Sequence, residues 1–263
     1  MIESTEQIDV TYEGDVVVVS INRPERLNAI APETSDQLRE TLLRLDDDDD
    51  SRVAILTGAG RGFCAGGDVK SMTDRHKPGV APKKVYSQGR HLMNAFVSVE
   101  KPIIAMVNGP AAGLGATLAL FCDMVVMADE ASIGDRHVNV GLVAGDGGAV
   151  MWPLLVGPLL AKEMMITGRM LSGREAADMG LVNRSVPLEQ LRKETMDLAR
   201  EIAALPPYAV RATKTSVNRY VAWMTNLVLE PSLAWEKISM MSEDHQEALA
   251  ARREKRAGVY TGQ

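Results

Sequence analysis

Cysteine is scarce in this 263-residue sequence: Cys64 and Cys122 are the only two. No disulfide framework and no Cys-x-x-Cys pair can be built from them, which predicts a reducing, cytoplasmic setting. Aromatic residues make up only 4%, against 15 methionines and 22 glycines, so the core must be packed with Val, Ile, Leu, Ala and Met. Excess positive charge is also missing. The 29 basic and 35 acidic residues leave −6, which argues against general nucleic-acid binding but leaves room for a local basic patch that meets a small anion. The acidic start, MIESTEQIDVTYEGD, opens no apolar run, and a secretory signal is not expected. The longest apolar stretch, Ile103 to Ala128, is broken by Asn108, Gly109, Pro110 and Asp123 and reads as strand, turn, helix and strand, not as a membrane span. His76, His91 and His245 lack metal-ligand spacing, and neither Gly-x-Ser-x-Gly nor His-Glu-x-x-His occurs, so no metal and no serine nucleophile is expected.

With 46% hydrophobic and 24% charged residues, the chain has the composition of an ordinary globular protein with one large core. Asp15 to Ile21 is an uninterrupted apolar run between Gly14 and Pro24, the pattern of a strand buried on both faces. Pro32 suits the first position of a helix that carries Leu38, Leu42 and Leu45 on one face. Five consecutive aspartates, Asp46 to Asp50, cannot converge on one ion without a special loop, and a solvated loop is expected there. A strand over Val53 to Thr57, a polar and mobile loop over Ser71 to Ser87 and a helix over Val85 to Val99 come next. A strand over Ile103 to Val107, a helix over Gly113 to Phe121 and a strand over Asp123 to Met127 follow. This alternation is that of an α/β domain. Strand signals thin out after Asp146, while Leu191, Leu198, Ile202 and Leu205 keep helical spacing and Ser242 to Arg256 reads as a charged helix. The expected organisation is a core domain over residues 1–195 and a helical C-terminal region over 196–263.

Two segments share one layout of buried strand, glycine turn and helix start: VAILTGAGRGFCAGGD (Val53 to Asp68) and IIAMVNGPAAGLGATLALFCD (Ile103 to Asp123). Such turns bring backbone N–H groups close to a ligand, and two of them on neighbouring strands can supply one N–H each to a single oxygen. A dinucleotide fingerprint fits poorly, because Phe63 stands at the third glycine position of GAGRGF and no suitably placed acidic residue follows. A phosphate loop fails for want of Gly-Lys-Ser/Thr.

Four segments in order, NRPERLNAI (Asn22 to Ile30), ILTGAGRGFCAGGD (Ile55 to Asp68), KPIIAMVNGPAAGLGATLALFCD (Lys101 to Asp123) and EDHQEALAARREKR (Glu243 to Arg256), resemble the signature segments of the crotonase, or enoyl-CoA hydratase/isomerase, superfamily. The resemblance covers essentially the whole chain. It implies a spiral of repeated ββα units with C-terminal helices that build homotrimers or dimers of trimers. It also implies an acyl-CoA thioester substrate, with coenzyme A as part of that substrate and no resident cofactor. By position, the two oxyanion-hole N–H donors would be Ala65 and Leu114, within a binding segment that includes Gly66, Gly67, Asp68 and Gly113. Arg23, Arg26 and Lys255 stand where the family meets the CoA phosphates.

The catalytic positions depart from the hydratase pattern. Where hydratases of this family carry two glutamates, this sequence has Thr117 and His137, so the two-glutamate mechanism does not carry over. Asp146, nine residues after His137, lies where several non-hydratase branches put an acid or base. A carboxylate among glycines and ahead of an apolar helix is desolvated and basic enough to take an α- or γ-proton, and Asp is also a good helix N-cap. Three readings follow. The first is an enoyl-CoA isomerase or non-standard hydratase, with Asp146 as acid/base and His137 assisting. The second is a β-diketone C–C hydrolase that uses the His137/Asp146 pair. The third is a CoA-binding relative without turnover.

Overall fold

Valine-rich segments without polar alternation form the inner strands of one sheet in the computed structural model, which describes residues 1–68 and 82–263. The sheet has six strands in the order β1 (Ile8–Glu13), β2 (Val16–Ile21), β3 (Val53–Gly58), β4 (Ile103–Val107), β6 (Met124–Ala128) and β9 (Arg184–Val186). Only β1 and β2 are antiparallel, and the other neighbours pair in parallel, with Val16 opposite Val53, Ala54 opposite Ile103 and Ile104 opposite Met124. Every residue of β3 and β4 is buried, as expected for strands covered on both faces. The edge strand β1 was not expected, because its Asp9, Thr11 and Glu13 dilute the apolar signal of Ile8, Val10 and Tyr12.

A second, smaller sheet joins β5 (Ala111–Ala112), β7 (Ser132–Gly134) and β8 (Leu171–Ser172), and Cys64 adds a parallel bridge to Ala111. Successive turns of chain thus give one strand to the large sheet and a short stretch to the small one. This is the ββα spiral. Its helices are α1 (Pro32–Leu43), α2 (Pro82–Ser98), α3 (Leu114–Phe121), α4 (Gly148–Thr167), α5 (Gly173–Asp178), α6 (Leu188–Ala203), α7 (Pro207–Ser239) and α8 (Glu243–Glu254). The expected polar loop over Ser71 to Ser87 falls outside the described residues as far as residue 81, and residues 82–87 already belong to α2.

The division expected at 195/196 cuts through α6. Leu191, Thr195, Met196 and Ala199 of that helix are buried, and it packs over β2, β3, β4 and β6. The layer that covers the sheet therefore runs to Ala203, and α7, which follows, packs on α2 and α4.

The Asp46 to Asp50 run is not a purely solvated loop. Asp46 accepts the backbone N–H groups of Glu100 and Lys101. Asp48 is buried beside the fully buried Lys101, whose Nζ donates to the Asp48 carbonyl (2.7 Å) and to Ser51 Oγ (2.9 Å) and lies 3.6 Å from Asp48 Oδ2. Removing one partner strands the other charge in the interior. Asp48→Ala is expected to lower unfolding free energy by about 3–5 kcal/mol in a urea titration, whereas the solvated-loop reading predicts almost no change.

Candidate active site

Four polar residues converge where β7 and α4 meet the start of α3. β7 ends at Gly134, and the chain turns through Asp135 into the 3-10 turn His137–Val140. Asp135 is fully buried, its Oδ1 accepting the His137 backbone N–H (3.1 Å) and lying 2.8 Å from His137 Nδ1. This is the Asx geometry, in which a carboxylate closes on its own chain two residues ahead. On the other edge of the ring, Nε2 lies 3.1 Å from Oδ2 of Asp146, just ahead of α4. The second oxygen, Asp146 Oδ1, accepts the Thr117 hydroxyl from α3 at 2.9 Å. The row therefore runs Asp135, His137, Asp146, Thr117, and the structure brings together His137 and Asp146, which the sequence paired.

Burial disfavours charge on His137, but the flanking carboxylates of Asp146 and Asp135 outweigh it and hold the imidazole protonated well above histidine's ordinary 6.5. Burial likewise pushes Asp146 upward, yet the His137 charge, its hydrogen bond, the Thr117 hydroxyl and the Gly148 N–H bring it below its ordinary value. His137 therefore contributes stability in full below pH 6.5, its unfolded value, and loses that contribution as pH rises through its raised folded value. Asp146 contributes above 3.8 and loses its share as pH falls through its lower folded value. The thermal midpoint is expected to be flat from about pH 5 to about pH 6.5 and to decline above that. Followed by circular dichroism, His137→Gln should remove much of that alkaline decline; an unchanged decline would contradict the assignment.

The His137 ring covers the start of α3. Gly113, the residue before the helix, has φ 54° and ψ −121°, and a Cβ there would stand 3.4 Å from His137 Cε1. Leu114 is the first helical residue, so its N–H has no partner within the helix and carries the positive end of the helix dipole. The expected second donor needs correction. The Ala65 N–H donates to the Leu27 carbonyl at 2.9 Å and is spent inside the chain. Two residues on, Gly67 is bridged to Ile30, but its neighbours make the bonds: Ile30 N–H to Gly66 carbonyl (2.8 Å) and Asp68 N–H to Ile30 carbonyl (3.0 Å). The Gly67 N–H is thereby turned away from Ile30, and no acceptor for it stands among the described residues. Gly66, at φ 97°, lets this turn lie against α3, since a Cβ on it would stand 2.7 Å from the Ala112 carbonyl oxygen and 3.7 Å from the Leu114 nitrogen.

The NRPERLNAI segment fastens this turn from behind. Buried Asn28, at φ 58°, donates to the carbonyls of Ala59 (2.9 Å) and Gly62 (2.7 Å). Arg23 pairs with Asp68 at 2.9 Å and also donates to the Ala29 carbonyl, so its charge is already matched within the chain. Arg26 and Lys255 are exposed, the first ending the Pro24–Arg26 turn and the second ending α8 at φ 54°. Cys64, fully buried beneath the turn, is inert as a nucleophile: burial pushes its thiol up to about 12. Asp135 was missed in the sequence. Its only signal there is a carboxylate two residues before a histidine, at the end of a short strand.

The model for the enoyl-CoA hydratase/isomerase family matches residues 11–263. The 1,2-epoxyphenylacetyl-CoA isomerase of Escherichia coli K12 is 34% identical over 255 residues, which cover 95% of this chain and 96% of that protein. The carnitinyl-CoA dehydratase of Proteus mirabilis is 36% identical over 212 residues, 80% of this chain and 79% of its own length. Among solved structures, an enoyl-CoA hydratase/isomerase from Mycobacterium paratuberculosis superposes with a TM-score of 0.89 at 34% identity, covering 95% of this chain and 99% of that one.

Proposed function

This chain belongs to the enoyl-CoA hydratase/isomerase family and is an enzyme of it, and we propose that it shifts a carbon–carbon double bond along an acyl-CoA with Asp146 as the single acid/base. The thioester oxygen sits between the N–H groups of Gly67 and Leu114. The Asp146 carboxylate takes a proton from the α-carbon of a 3-enoyl-CoA, and the electron pair left behind moves onto the thioester oxygen as a dienolate. The two N–H groups hold that oxyanion. Protonated Asp146 then returns the proton to the γ-carbon, the dienolate collapses to the conjugated 2-enoyl-CoA, and the carboxylate is regenerated.

The observation that carries this reading is the single carboxylate flanked by Thr117 and His137. Hydration needs one group to activate water and another to deliver a proton. The two positions that would hold those groups carry side chains already spent on Asp146. A 1,3-proton shift needs one group that takes and gives back, which one carboxylate does alone. An isomerase of an acyl-CoA stands among the relatives. The diketone hydrolase reading needs an unprotonated imidazole nitrogen to draw a proton from water, and both nitrogens of His137 face carboxylates.

Of the three cations expected to meet the CoA phosphates, Arg26 and Lys255 are exposed, whereas Arg23 is matched by Asp68. A homotrimer is part of the same reading. Trp223 (67% exposed) and Trp235 (61%) on α7 and Leu159 (86%) on α4 are large apolar side chains for a monomer to leave in water.

Titration of the purified protein with acetyl-CoA and crotonyl-CoA, with products read by mass spectrometry, tests the class. Binding with interconversion of 2- and 3-enoyl esters is expected. Binding with no turnover of any ester would favour a CoA-binding relative. Absence of binding, with cleavage of a cyclic β-diketone, would favour the hydrolase.

A further inference from the structure

We propose that Asp135 is a positioning residue that keeps His137 protonated on both nitrogens, so that the imidazolium acts as a fixed cation beside Asp146 and never as the base; the catalytic half of this inference rests on the isomerase reading. Asp135 Oδ1 lies 2.8 Å from Nδ1 and Asp146 Oδ2 lies 3.1 Å from Nε2. A neutral imidazole has one N–H, so it can satisfy one carboxylate only and must turn a lone pair toward the other. Two carboxylates on opposite edges of the ring require two protons between them. The ordinary proton affinities place both on the ring, histidine at about 6.5 against aspartate at about 3.9.

Asp135 is placed for this role alone. Its Oδ1 is occupied by His137 at both the backbone N–H and the ring, while its buried Oδ2 has no hydrogen-bond partner among the described residues. That oxygen lies against Gly148, where any Cβ would overlap it. A half-satisfied buried carboxylate is costly unless its charge answers another, and the imidazolium is that charge. The other titratable groups around the turn come from each packed element. Cys64 lies under the oxyanion turn and is influenced by the Asp146 charge. Glu236 of α7 packs against Gly145, where a Cβ would stand 2.6 Å from its Oε2. His245 of α8 has Nδ1 2.5 Å from the Val140 carbonyl, and the exposed Arg136 reaches Asn139.

The consequence is a division of labour. His137 cannot accept a proton during turnover. It fixes one oxygen of Asp146 and, by its charge, keeps that carboxylate ionised and ready to act as base. Asp135 sets this arrangement without touching substrate.

The test is nitrogen-15 NMR of the full chain with labelled histidine and no ligand, with His137→Gln identifying the resonances of residue 137. In the wild type, both ring nitrogens of His137 are expected to be protonated at pH 7, above histidine's ordinary value of about 6.5. In Asp135→Asn, which keeps an acceptor oxygen but loses the charge, proton affinity at His137 should fall at least tenfold. Turnover should fall by about 10–100-fold with KM within about threefold, and kcat should gain an ionisation near neutrality. A wild-type spectrum with one unprotonated nitrogen at pH 7 overturns the proposal, and so does an Asp135→Asn variant that loses stability but keeps the wild-type titration and pH profile. The wild-type spectrum can overturn the proposal even if the variant does not fold. If the spectrum is as expected and no acyl-CoA is turned over, the isomerase reading alone has failed.

Discussion

Asp146→Asn is expected to lower turnover of a 3-enoyl-CoA by about 10²–10⁴-fold, the range that a positioned general base supplies. The substitution keeps the shape of the side chain: its one carbonyl oxygen can face the His137 imidazolium, while its NH2 donates to the Thr117 oxygen that sits 2.9 Å from Asp146 Oδ1 and whose own hydroxyl has the Gly113 carbonyl within 3.4 Å. What it removes is the group proposed to take the α-proton and return it at the γ-carbon. Binding of the ester should stay within about threefold, because interactions made equally with ground and transition states are untouched. The amide also leaves the His137 imidazolium with a weaker partner than the carboxylate at 3.1 Å. The thermal midpoint should therefore fall by an amount corresponding to about 1–3 kcal/mol. Folded protein that binds ester but does not convert it is the expected phenotype. A variant that keeps a tenth of wild-type turnover would remove Asp146 from the chemistry.

Leu114→Pro is expected to cost about 10²–10³-fold in kcat, the effect of losing one oxyanion donor. Proline has no N–H, and at the first position of a helix it is otherwise tolerated, because that N–H is unpaired within the helix and the required φ is the one proline fixes. Leu114 occupies that position in α3, after a glycine whose φ of 54° and ψ of −121° impose no Cβ clash on a following proline. The substitution thus deletes one hydrogen-bond donor and some packing while leaving the helix in place. Leu114→Ala is the matched control: it trims the side chain but keeps the N–H, and less than about a tenfold effect is expected. Equal losses in the two variants would mean that the leucine side chain, and not its backbone, matters.

The large sheet was legible because its inner strands are covered on both faces, and runs such as Val16 to Val19 have no other use than burial. The helices α1, α3 and α6 declare themselves through apolar spacing and, for α1, through Pro32 at its start. The site was legible as a pair of glycine turns and a His–Asp spacing, which is a statement about segments. Which N–H faces the ligand is a different kind of fact. Ala65 loses its N–H to Leu27 and Gly67 keeps its own because the chain returns from residues 27–30 to pair with the turn, and nothing within the turn records that return. The aspartate run failed for the same reason, since the charge that buries Asp48 sits on Lys101, far along the chain. Asp135 lay unseen because an Asx turn needs only one carboxylate and two intervening bonds, a pattern too common to stand out.

The central claim is that one carboxylate moves a proton along an acyl-CoA held as its enolate. Incubating the wild-type protein with 3-hexenoyl-CoA in deuterium oxide and following the ester by mass spectrometry and ultraviolet absorbance tests it most directly. The account predicts that the conjugated 2-enoyl-CoA appears, that its γ-carbon carries largely the proton taken from the α-carbon, with deuterium entering only where protonated Asp146 exchanges with solvent before returning it, and that conversion is lost in Asp146→Asn. Recovery of an unlabelled, unconjugated ester, or release of free CoA thiol without exchange, would contradict it.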